Sequence, residues 1–287
     1  MQTDESIPRS ELNSPDFSGP NETSSFEPTP NDPPWSSLEA VSVWFLSVLV
    51  ILLIPGLFLI PYLAYSGAAI ESSGDMVEFA KSDPMAVVLQ IIAIIPAHLL
   101  TILFVWLIVT RWRKLGFLST LGWKSGPFAW WHYLILLGGF FMIAAIVGNF
   151  FPEKENELIR ILRSSRYAVY VVAFIATVTA PIVEEMVYRG VLYSAFQRTF
   201  GIPSAFLLVT FMFAIVHVPQ YYPSYTTIFL LTLLSVMLTS VRVISGNLLP
   251  CVILHTLFNG LQSVFLILQP YAENPDVQAR LADVLYK

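Results

Sequence analysis

VVAFIATVTAPIVEEMVYRGVLYSAF, residues 171–196, reads as a membrane-spanning helix that carries two adjacent glutamates, Glu184 and Glu185, and Arg189 four positions after the second. A carboxylate placed in hydrocarbon costs roughly 2.5–3.5 kcal/mol on insertion scales. Ionisable residues within a span therefore face the interior of a bundle and mark a polar, functional site by default.

Composition supports the membrane reading. The 287 residues are 55% hydrophobic and 12% charged, with a mean hydropathy of +0.67. A soluble domain carries about 25% charged residues. One cysteine, Cys251, excludes an intrachain disulfide framework and a thiolate metal cage. The net charge of −5 gives no basis for nucleic-acid binding. Residues 1–38 are rich in Pro, Ser, Asn, Asp and Glu, a composition too polar to offset the entropy of ordering. They are expected to form a disordered tail, leaving 39–287 as the membrane domain.

Seven apolar segments approach the ~20 residues that a spanning helix needs. They lie near 42–65, 86–109, 128–150, 168–197, 203–219, 226–245 and 248–268. The fold expected is an all-α polytopic bundle of about seven transmembrane helices enclosing a polar cavity. EKENELIRILRSSR, 153–166, mixes apolar and basic positions in the manner of a helix lying in the membrane interface. The loop 110–127 holds Arg111, Arg113, Lys114 and Lys124 and no acid, whereas 66–84 has one Lys81 and four acids. This bias places the N-terminus on the cytoplasmic side of a cell membrane. Segment 153–166, with four basic residues on the opposite side, points the other way.

Pro181 removes a backbone hydrogen bond and is expected to break the glutamate helix, setting Glu184 in the first turn of the following half. Adjacent helical residues point about 100° apart, so the two glutamates have different roles. Glu185 and Arg189, at i and i+4, read as a buried ion pair. Glu184 has no local partner and is the stronger candidate for a general base. His217 ends the run FLLVTFMFAIVH, and His255 shares a helix face with Asn259. His98 reads as a hydrogen-bonded core residue and His132 as part of an aromatic interface belt. Glu184, His217, His255 and Asn259 come from three spans and together can line one cavity. A carboxylate to deprotonate water, imidazoles to orient it and an amide to bind an oxyanion are what peptide hydrolysis requires. Glutamate and imidazole are also zinc ligands, although the His-Glu-x-x-His signature is absent.

These residues form three ordered motifs: Glu184-Glu185-x-x-x-Arg189, Phe213-x-x-x-His217 and His255-x-x-x-Asn259. In that order and in successive polar-bearing spans, they resemble the type II CAAX prenyl endopeptidases and the wider CPBP (Abi) family of intramembrane proteases. The resemblance covers about residues 128–268. It implies an endopeptidase in which Glu184 and His217 activate water and His255 and Asn259 bind the substrate carbonyl or oxyanion. Glu185, Arg189 and Phe213 would support the site. It also implies a peptide or protein substrate, prenylated in the best-known members, within the lipid bilayer. Both a zinc ion on Glu184, His217 and His255 and a metal-free mechanism stay open. Prenyl-processing members would add an eighth helix, but here only NPDVQARLADVLYK, 274–287, follows the seventh span. Two other readings of the same polar residues are an ion-coupled transporter and a non-enzymatic immunity or scaffold protein.

Overall fold

The computed structural model describes residues 28–155, 157–164 and 166–272. Its regular elements are helices: α1 Ser37–Ser66, α2 Ser73–Ser82, α3 Pro84–Thr110, α4 Phe117–Leu121, α5 Trp130–Phe150, α6 Glu157–Ser164, α7 Arg166–Phe200, α8 Ile202–Tyr221, α9 Tyr225–Ser245 and α10 Leu249–Ala272. Seven of them (α1, α3, α5, α7, α8, α9 and α10) are long and apolar enough to cross a membrane. Their outward faces carry large apolar side chains that a water-soluble protein would bury, among them Leu52, Ile60, Ile135, Leu207, Phe211 and Phe265. A helix suits that setting because every interior backbone group is satisfied within the segment. The chain is an all-α polytopic membrane protein, and the seven spans among the described residues each lie within a few residues of their expected place. The acidic loop 66–84 contains α2, a short capped helix. The segment 274–287 lies outside the described residues.

α7 is the hub, packing against α1, α3, α8 and α10. One core lies between α1, α3, α7 and α8 around Trp35, Val105, Val187, Leu192 and Phe213. A second joins α5, α9 and α10 through Phe140, Leu238 and Phe258.

The N-terminal expectation needs correction. Residues 28–36 are packed against one end of the bundle, so this part of the expected tail is ordered. Trp35 is fully buried and its indole N–H donates to the Val191 carbonyl at 3.0 Å. Buried Arg242 donates to the Pro30 carbonyl at 2.6 Å and to Asn31 Oδ1 at 2.9 Å. Arg198 holds the Pro33 and Trp35 carbonyls, and Arg111 holds the Pro34 carbonyl together with Glu39. Gly122 lets the strap approach: a Cβ there would lie 2.8 Å from the Pro30 ring. Backbone carbonyls serve as arginine ligands in this strap, and composition carries no sign of them. Residues 1–27 lie outside the described part. Ser36 then caps α1 through a reciprocal pair with Glu39.

Candidate active site

Pro181 does not break α7. The helix instead passes through a π-helical turn at Ile175–Thr179, resumes over Ala180–Glu185 and widens again at Met186–Leu192. In the first wide turn the Ala180 N–H bonds the Ile175 carbonyl, five residues back. Continuing that register, the N–H that Pro181 lacks would have met the Ala176 carbonyl. Asn259 Nδ2 donates to that same carbonyl at 2.8 Å. The amide of α10 thus replaces the hydrogen bond that the proline removes, and α7 stays continuous. Glu184 therefore sits in mid-helix rather than at a positive helix end, which corrects the half-helix expectation. Single π turns of this kind gather at functional sites.

Glu185 and Arg189 are both fully buried, with Arg189 Nη1 2.9 Å from Glu185 Oε1. The rest of the guanidinium is satisfied on α9 by Ser235 Oγ at 2.8 Å, the Ser235 carbonyl at 3.1 Å and Thr239 Oγ1 at 3.4 Å. It also lies 4.7 Å from the centre of the Phe213 ring, within cation–π range. Arg242 in turn donates to the Arg189 carbonyl at 3.1 Å, so the strap-binding arginine and the ion pair are neighbours. The expected pair is present, embedded in a three-helix network.

The same Glu185 oxygen accepts from His255 Nδ1 at 2.8 Å. A carboxylate opposite an arginine is an acceptor only, so the Nδ1 proton belongs to the imidazole. The other ring nitrogen, Nε2, lies 3.8 Å from Glu184 Oε2. His255 is therefore bonded to Glu185 and stands beside Glu184, a placement that separate helix faces did not suggest. His217 Nδ1 meets the Phe213 carbonyl at 2.7 Å, an interaction that requires the proton on Nδ1 and leaves Nε2 as an acceptor. The Phe213 ring sits 4.8 Å from the His217 ring and 6.2 Å from that of His255. It separates the two imidazoles and covers the arginine, which gives the aromatic position of the second motif its physical purpose.

A cavity of about 570 Å³ opens inside the bundle, lined by Glu184, His217, His255 and Asn259 from three spans. Glu184 retains 24% of its side-chain exposure, all of Glu185 being buried. The cavity extends to Glu153, Tyr221 and Thr227 at the end of the bundle that carries residues 151–164. The opposite end is filled by fully buried Trp35, Leu121, Leu192, Tyr193 and Leu248. Apolar side chains such as Ile51, Leu52, Ile94, Val172, Leu230 and Leu231 form much of the wall.

His98 is the buried, hydrogen-bonded residue expected, and it also lines this cavity, which the sequence reading did not foresee. Its Nδ1 is 2.9 Å from Thr179 Oγ1 in the π turn of α7. The available signal was Thr101, one turn further along α3 and also on the cavity wall. Zinc fits the residues poorly as they stand. Among the described residues no three His, Cys, Asp or Glu side chains form a group that could hold a metal ion. His255 spends Nδ1 on Glu185, and its Nε2 stands 3.8 Å from the nearest Glu184 oxygen.

The family model described as "Type II CAAX prenyl endopeptidase Rce1-like" matches residues 166–261, from the start of α7 into α10. This segment belongs to that family. All three motifs fall within the Rce1-like segment, and α1, α3 and the strap lie outside it. No curated protein and no solved structure matches the chain.

Proposed function

We propose that the protein is an intramembrane endopeptidase that hydrolyses a peptide bond near the C-terminus of a peptide or protein. The observation that carries this reading is the convergence of Glu184, His217, His255 and Asn259 on one cavity within the Rce1-like segment. Water held between Glu184 and His217 Nε2 loses a proton to the Glu184 carboxylate as its oxygen adds to the scissile carbonyl. Negative charge develops on the former carbonyl oxygen. Asn259 has a second N–H besides the one spent on Ala176, and that N–H is free to bind the oxyanion. His255, whose Nδ1–H donates to Glu185 at 2.8 Å, stands beside the base with Nε2 3.8 Å from Glu184 Oε2. Collapse of the adduct breaks the C–N bond, and the proton on Glu184 passes to the leaving amine. Arg189 fixes Glu185, and Phe213 spaces the two imidazoles.

The apolar wall suits a lipid-modified or hydrophobic peptide, and a prenylated C-terminal Cys-a-a-X sequence is the substrate class proposed. Residues 39–287 act as the protease domain in a cell membrane. The basic loop 110–127 and the arginines that hold the strap support a cytoplasmic N-terminus. The open end of the cavity then lies on the opposite side. Incubation with a farnesylated Cys-a-a-X peptide tests the reading: wild-type protein releases the a-a-X tripeptide and Glu184→Gln does not. Cleavage by Glu184→Gln at the wild-type rate would remove Glu184 as the base.

A further inference from the structure

His98 is the third imidazole on the cavity wall, and neither the three motifs nor the matched segment includes it. It stands on α3 and is 5% exposed. Its Nδ1 meets Thr179 Oγ1 at 2.9 Å, and that hydroxyl in turn donates to the Ile175 carbonyl at 3.3 Å. A threonine hydroxyl has one proton. With that proton committed to Ile175, Thr179 can only accept, so the proton between them is on His98 Nδ1. Neutral His98 therefore presents Nε2 as a lone pair. The wide turn of α7 supplies both Thr179 and the Ile175 carbonyl, the arrangement that favours this tautomer.

In the proposed mechanism Glu184 and His217 hold the water, and His255 stands beside Glu184 with its Nδ1–H on Glu185. A peptide entering a largely apolar cavity brings backbone N–H groups that lose water and need acceptors. We propose that His98 is a substrate-positioning residue whose Nε2 accepts a backbone N–H of the bound peptide. This rests on the protease reading of the cavity. It assigns α3, outside the Rce1-like segment, a direct part in holding the peptide.

Two near-isosteric variants separate this role from a merely structural one. Asn at 98 reproduces the Nδ1 position and keeps the tie to Thr179, whereas Gln reproduces the Nε2 position. Binding of a farnesylated Cys-a-a-X peptide is measured in the Glu184→Gln background, so that the outcome does not depend on turnover. The expected result is that His98→Gln stays within about threefold of the parent Kd. His98→Asn weakens binding roughly tenfold, the size of one lost hydrogen bond. In the cleaving enzyme the same contrast appears in KM, with kcat less affected. Thermal unfolding of both variants checks that they are folded. Parent-like binding by His98→Asn, equal losses in both variants, or no peptide binding by the parent overturns the proposal. Failure of the protease reading looks different: wild type binds the peptide, shows the His98 contrast and cleaves nothing.

Discussion

Glu184→Gln and Glu185→Gln change the same chemical group one residue apart, and their effects should be opposite in kind. Glu185 and Arg189 are fully buried and 2.9 Å apart. Removing one member of such a pair leaves an uncompensated buried charge and costs about 3–5 kcal/mol. At roughly 2–4 °C per kcal/mol for a chain of this size, Glu185→Gln should lower Tm by about 6–20 °C. It also loosens His255 Nδ1, so activity falls with stability. Glu184 keeps 24% of its side-chain exposure and makes no ion pair with an arginine or lysine among the described residues. Glu184→Gln should shift stability by no more than about 0.5 kcal/mol while reducing kcat by at least about 10²–10⁴. A double variant, Glu185→Met with Arg189→Met, removes both charges together. Replacing a buried pair by apolar groups is often close to neutral, so it should recover most of the lost Tm and none of the activity. Thermal unfolding in detergent, followed beside peptide cleavage, measures all of these. Equal destabilisation by the two glutamine variants, or a double variant no more stable than Glu185→Gln, would refute this division of roles.

Three further outcomes follow from the fold. Trp35→Ala empties a fully buried site under the strap and should cost about 3–5 kcal/mol, read as a fall in Tm; an unchanged Tm would show that the strap does not stabilise the bundle. Pro181→Ala restores an N–H next to the Ala176 carbonyl, so Asn259→Ala should destabilise the Pro181→Ala protein less than wild type, with a coupling of roughly 0.5–3 kcal/mol; strict additivity in unfolding measurements would break the link between the two residues. A cysteine at Gln220, on the open end of the cavity, should react in intact cells with a membrane-impermeant maleimide, because native Cys251 is buried; labelling only from the cytoplasmic side would reverse the proposed orientation.

Much of the site is legible in the sequence because its motifs are local. Glu185 and Arg189, Phe213 and His217, and His255 and Asn259 each stand four residues apart on one helix, so spacing alone reveals a shared face. The seven spans are equally plain from their apolar runs. What the sequence hides is long-range. That Glu185 would meet His255, 70 residues away, depends on how α10 docks against α7. His98 joins the cavity from α3, 81 positions before Thr179, with only Thr101 nearby as a hint. Pro181 reads as a break because the rule for proline considers its own helix. Here a wide turn and an amide from another helix repair the ladder. The strap reads as disordered because its polar composition is real, while the three arginines bind its carbonyls, which every sequence possesses.

The central claim is that Glu184 activates water for peptide hydrolysis in this cavity. Its most direct test is product formation from a farnesylated Cys-a-a-X peptide by purified wild-type and Glu184→Gln proteins, each with and without a zinc chelator. The account predicts tripeptide release by wild type at the same rate in both conditions, because no metal-holding group is assembled among the described residues, and none by Glu184→Gln. Wild-type rates from Glu184→Gln, or cleavage abolished by the chelator and restored by zinc, would contradict it.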